Sequence, residues 1–147
     1  MPIDKTYIAK NRMAIGDAEW DVGGALNINS GGVLQIEAGG QLLESVGEGL
    51  TAHAGGGQAS AFLCPALINR FTTVATAGDS AKLPPSQGIT GATIVTINAG
   101  ASAMQVFGFG TDTINGVASG TGVSVAAGKT AAFFTTLAGT WHMQLSA

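Results

Sequence analysis

A pair of glycines returns every eight residues near the start of this chain: Gly23-Gly24, Gly31-Gly32, Gly39-Gly40, then a weakened Gly47-Glu48. Leucine keeps the same step at Leu26, Leu34, Leu42 and Leu50, with Ile28 and Ile36 between them. The unit reads Gly-Gly-x-Leu-x-Ile-x-x. Apolar residues two apart share one side of an extended chain, and glycine at a corner admits φ > 0. The repeat therefore predicts short half-buried strands joined by regular corners, stacked as a β-solenoid or paired as a meander. Four octads make a stub of about 32 residues, and repeat stacks need roughly three or more units to bury an apolar face. Its cover comes either from the same segment of other chains, as a small three-fold β-prism, or from the rest of the chain folded over it. Closed rotational symmetry, the common solution for soluble assemblies, favours the oligomer.

Charge is scarce and unevenly placed. The 147 residues carry six basic and nine acidic side chains, 10% of the chain, against a typical ~25%. Most of them precede position 51; beyond it stand only Arg70, Asp79, Lys82, Asp112 and Lys129. A break this sharp predicts an N-terminal arm and octad β-repeat over 1–54, a glycine-rich linker over 55–65 and a β-sandwich domain over 66–147. The stretch Thr6–Ile15 mixes apolar and basic residues, as an arm laid on a partner or a first strand would. A surface so poor in charge keeps a lone protein poorly dispersed, which points to cover by other subunits. Net charge −3 argues against a nucleic-acid partner, whose footprint would be basic. No run of 18 apolar residues predicts a membrane span. The first residues lack the apolar core of a signal peptide, so the expectation is synthesis in the cytoplasm without one. The single cysteine, Cys64, permits neither an internal disulfide nor a Cys-rich zinc site.

From Leu67 onward the chain reads as short strands broken by turn residues. Strands are predicted over Ile68–Thr76, Thr93–Asn98, Met104–Phe109, Val123–Val125, Thr130–Thr136 and Trp141–Leu145. Leu83-Pro84-Pro85-Ser86 is excluded from a central strand because proline gives no ladder donor. Asn115-Gly116 is the strongest two-residue hairpin signal in the chain. Strands every 8–12 residues, with no helical period, predict an antiparallel sandwich or barrel. The expected fold class is all-β: a short N-terminal β-repeat, then an antiparallel β-sandwich or barrel-like domain. Leu26, Ile28, Leu34, Ile36 and Leu42 are the expected core of the repeat, and Phe107, Phe109, Trp141 and Met143 that of the sandwich.

No arrangement of residues assembles a catalytic, cofactor or metal site. His53 and His142 lack any metal-ligand spacing, and Cys64-Pro65 has no base at a recognisable distance, so the thiol reads as packed. Gly108-Phe109-Gly110 opens like a dinucleotide loop but lacks the third glycine and a following helix. Asp112, Thr113 and Asn115 miss the EF-hand spacing, and Asp112 reads better as a cap of its own turn. Asp17, Glu19 and Asp21 share one face of a strand, where like charges mark a solvated edge. The expected activity is none.

Four short motifs then carry a resemblance. Asn98-Ala99-Gly100, Val106-Phe107-Gly108-Phe109-Gly110, Asp112-Thr113-Ile114-Asn115-Gly116 and Gly139-Thr140-Trp141 follow one another over about residues 79–145, with Gly128-Lys129-Thr130 among them. This succession is similar to a domain recurrent in structural proteins of tailed bacteriophages. The whole chain most resembles head decoration (cement) proteins, which sit as trimers on the capsid exterior and staple neighbouring major capsid proteins. The resemblance implies a non-enzymatic virion protein, partnered by itself and the major capsid protein. Tail fibre and baseplate proteins use similar modules, so a receptor- or glycan-binding tail module is the alternative.

Overall fold

The computed structural model describes residues 11–13, 20–22, 26–28, 30–36 and 38–147, and the chain divides into two compact units, Met1–Leu42 and Leu43–Ala147. In the first unit β1 (Asn11–Met13) pairs antiparallel with β2 (Trp20–Val22), Arg12 opposite Asp21. Asp17, Glu19 and the Gly23-Gly24 corner lie outside the described residues. The next two corners are present: turns at Ser30-Gly31 and Ala38-Gly39, with φ of +84° and +91° at the two glycines. Positive φ is free of steric cost only for glycine, which is why the pair recurs. The described residues between these corners have no strand partner.

The second unit is all-β, with no helix. Strands β3 (Val46–Thr51), β5 (Ile68–Thr73) and β7 (Thr93–Asn98) belong to one sheet, and β4 (Phe62–Leu63), β6 (Ser80–Lys82) and β8 (Met104–Phe107) to another. The chain alternates between the sheets, and each strand pairs in parallel with its equivalent in the coil before. Val46 meets Ile68 and Ile68 meets Val95 in the first sheet, while Ala81 lies beside Phe62 and Val106 in the second. This is a two-sheeted β-solenoid of three coils.

After β8 the chain turns back on itself. A two-residue strand, β9 (Thr113–Ile114), is followed by β10 (Val123–Val125), antiparallel to β8. Strand β11 (Thr130–Leu137) runs antiparallel to β7, and β12 (Thr140–Leu145) antiparallel to β11, with β9 parallel to β12 at the far edge. The sheets are thus six-stranded, β3-β5-β7-β11-β12-β9, and four-stranded, β10-β8-β6-β4. Phe71, Leu83, Met104, Val106, Phe133 and Trp141 fill the core, each fully buried.

Three expectations are corrected here. The architecture is a solenoid, not an antiparallel sandwich or barrel. A strand every 8–12 residues suits both, and only the pairing partner tells them apart. The second unit starts at Leu43, so the last octad, with Leu50 packed against the core, belongs to the solenoid rather than to an arm. Finally, Gly55-Gly56-Gly57 is not a linker but a corner of the first coil, with φ of +88°, +72° and +85°, and Gly55 N–H is bonded to Asp79. The Asn115-Gly116 turn does form, with φ of +51° and +73° closing a bridge between Ile114 and Val117.

Candidate interaction surface

Three buried polar side chains, Asp79, Asn69 and Asn98, tie the solenoid's loops and coils together. Asp79 lies in the turn between β5 and β6 and accepts from Thr76 Oγ1 at 2.7 Å, Ala75 N at 2.9 Å, Thr76 N at 3.0 Å and Gly55 N at 3.3 Å. The Thr76 hydroxyl, then its N–H, hold the carboxyl below the usual carboxylate range, against the opposing effect of burial. Asn69 Nδ2 donates to Ala66 O and Val95 O, and Asn98 Nδ2 to Ser102 O and Val125 O, fastening successive coils to one another and to β10. These groups are structural staples.

From Val46 onward every charged side chain is occupied. Glu48 pairs with Arg70, Lys82 Nζ donates to Ala59 O, Lys129 Nζ to the main-chain oxygen of Ala147, and Asp112 Oδ2 accepts from Ser86 N. With buried Asp79 and exposed Glu44, these are the charged side chains of the second unit. The outer face of the six-stranded sheet carries Arg70 and, beside it, an uncharged row. Alternate residues of β5, β7 and β11 are buried, which turns Ile68, Val95 and Ala132 outward, and the ladder sets them in one row with Val46. Ile97 stands in the next row beside Arg70, and Phe134 on the other side stacks on His142 with ring centroids 6.0 Å apart.

The residues singled out from the sequence divide into two groups. Trp141 and Phe107 are buried, and Met143 is partly buried against the core. Phe109, expected inside, is exposed, with Lys82 Nζ 5.9 Å from its ring centroid. Leu26, Ile28, Leu34, Ile36 and Leu42 are all exposed, between 44% and 69%.

No group of three His, Cys, Asp or Glu side chains converges among the described residues. His53 serves through its backbone, bridging Ser80. Burial pushes the Cys64 thiol up to about 12, so at neutral pH it stays protonated and unreactive. Cys64 lines an apolar cleft of about 240 Å³ with Pro65, Leu67, Pro84, Ile89 and Ile94, smaller than the ~300–1,000 Å³ of ordinary ligand pockets. Sequence reasoning missed the staples at Asn69, Asn98 and Asp79, although Thr76-Ala77-Gly78-Asp79 carries the signature of an acid that caps its own turn. What the arrangement offers is surface: an uncharged row across one sheet face, and a repeat whose leucines and isoleucines are exposed. No protein-family model, curated protein or solved structure matches the chain.

Proposed function

We propose that this chain is a non-enzymatic structural protein of a tailed-bacteriophage virion. In this reading it is a head decoration protein that binds the outer capsid surface as a homotrimer and stabilises contacts between major capsid proteins. The observation that carries the reading is the uncharged row Val46, Ile68, Val95 and Ala132 across one sheet face, on a chain in which only 10% of residues are charged. A freely diffusing protein relies on exposed charge to stay dispersed, whereas permanent interfaces are the more apolar class. The similarity of residues 79–145 to virion modules supports the same direction. The partners are further copies of the chain and the major capsid protein, with no cofactor and no nucleic acid.

The test is to mix the purified protein with capsids that lack it and map where it binds. Copies spread across the whole shell, with a raised capsid melting temperature, are expected. Binding confined to a tail or a single vertex would replace this reading with a receptor- or glycan-binding tail module. Absence of binding to any capsid would overturn it.

A further inference from the structure

We infer that Asn115 is a self-acting modification site: the Asn115-Gly116 turn closes to a succinimide and reopens as aspartate or isoaspartate, and the fold restrains this step through Met143. The site lies wholly within the second unit, and the inference is independent of the virion reading.

The turn supplies the reactants. Asn115 and Gly116 hold its two central positions, with φ of +51° and +73°, and Val117 N–H closes it onto Ile114 O at 2.9 Å. A two-residue turn with positive φ at both centres selects asparagine followed by glycine. The same selection has a chemical consequence. Glycine puts no Cβ beside its own nitrogen, so Gly116 N is the least hindered nucleophile that can follow an asparagine. Asn11, Asn27, Asn29, Asn69 and Asn98 all precede residues that carry a Cβ. In the reaction Gly116 N bonds to Asn115 Cγ, the Cγ–Nδ2 bond breaks, and Nδ2 leaves as ammonia with the proton from Gly116 N. Water then adds to one of the two ring carbonyls. Opening at Cγ gives aspartate. Opening at the main-chain carbonyl carbon gives isoaspartate, whose backbone runs through Cβ and Cγ. Water is the only co-reactant, and no oxidation state changes.

The fold holds the amide back. Asn115 N–H donates to Trp141 O at 2.8 Å, extending the parallel pairing of Ile114 with Trp141, and Asn115 Oδ1 accepts from Met143 N at 2.9 Å. The side chain thus carries the ladder one step further where the backbone has turned away. Attack makes Cγ tetrahedral and swings Oδ1 off this line, so the reaction waits for the Met143 bond to open. The two products then differ. Aspartate keeps a carboxylate oxygen at the same reach. Isoaspartate adds an atom to the turn backbone and leaves its carboxylate directly on Cα, one carbon short. Met143 N–H loses its acceptor, and β9, only two residues long, loses its hold on the edge of the six-stranded sheet.

The experiment incubates the full chain at mildly alkaline pH, folded and in urea. It follows the mass of each asparagine-containing peptide, and isoaspartate through its carboxyl methyltransferase. Asn115 is expected to convert first, and about 10-fold or more slowly in the folded chain, as when the reactive conformer is ~10% or less of the population. Gly116→Ala, compared in urea so that its positive φ plays no part, is expected to slow conversion several-fold. In folded protein enriched in isoaspartate, amide exchange at Met143 is expected to rise about 10-fold or more, with β5 and β7 unchanged. Freshly made Asn115→Asp is expected to keep the native rate there. Earlier conversion at another asparagine, equal rates in the folded and unfolded chain, or unchanged Met143 exchange in the isoaspartyl form would each overturn the inference.

Discussion

Gly100 lies against the backbone of Val74: a Cβ on that glycine would stand 2.5 Å from Val74 N and 2.6 Å from Val74 Cβ. The loop after β7 is thereby pressed onto the end of β5, where Ala99 N–H also reaches Phe71 O at 2.8 Å. Only a residue without a side chain permits this approach. Gly100→Ala is expected to cost about 1–3 kcal/mol of stability, the usual range for overpacking. Gly120→Ala, where nothing lies within 4 Å, is expected to stay within about 0.5 kcal/mol of the native protein. Urea unfolding of both variants checks the pair.

Thr96 is fully buried on β7, and its hydroxyl has no hydrogen-bond partner. An unpaired buried polar group costs roughly 1–3 kcal/mol. Thr96→Val keeps the shape and removes the oxygen, so the expected outcome is a gain of about 1 kcal/mol, read as a higher urea midpoint with an unchanged slope. A loss of stability would show that the hydroxyl is satisfied in solution.

Asp79 sets part of the acid sensitivity. Its folded carboxyl titrates lower than the ~3.9 of an unfolded aspartate. Its contribution is therefore complete well above pH 4 and falls away as the pH drops through the unfolded and then the folded value. Asp79→Asn is expected to be less stable at pH 7, because the amide loses acceptor capacity toward Thr76, Ala75 and Gly55. The difference between the two proteins is expected to narrow as the pH falls below about 4. Urea midpoints measured between pH 3 and pH 7 read the difference directly.

Cys64 reports on opening of the solenoid. With its thiol raised from 9.0 to about 12, the folded protein carries about 1,000-fold less thiolate than an exposed cysteine at the same pH. A thiol reagent at pH 7.5 is expected to label the folded chain only slowly and the urea-unfolded chain rapidly. Rapid labelling of the folded protein would mean that the cleft beside Pro65 and Leu67 opens on its own.

Much of the secondary structure could be read from the residues, because turn chemistry and period-2 alternation are local. Thr93–Asn98 and Val123–Val125 have the strand limits that the alternation implied, and the Asn115-Gly116 turn forms where its dipeptide placed it. The pairing of strands was not legible. Whether Ile68 lies beside Val46 and Val95, as it does, depends on contacts between distant residues, and a meander and a coil share the same strand spacing. The glycine run at 55–57 misled for a related reason: three glycines specify freedom in isolation and a sharp corner once Asp79 fixes Gly55. For the candidate surface, the octad period was plain in the sequence. The uncharged row across the sheet was not, because it depends on which side of each strand the core takes.

The antiparallel strands that follow β8 also bear on how far the molecule can propagate. Coils added in the same sense need an edge that continues the parallel ladder, and β10 and β11 occupy that position against β8 and β7. At that end the sheets finish in β9 and β10, so no further coil continues the parallel ladder there. A stack capped in this way ends at three coils, so its length is set within the chain and not by how many chains are present.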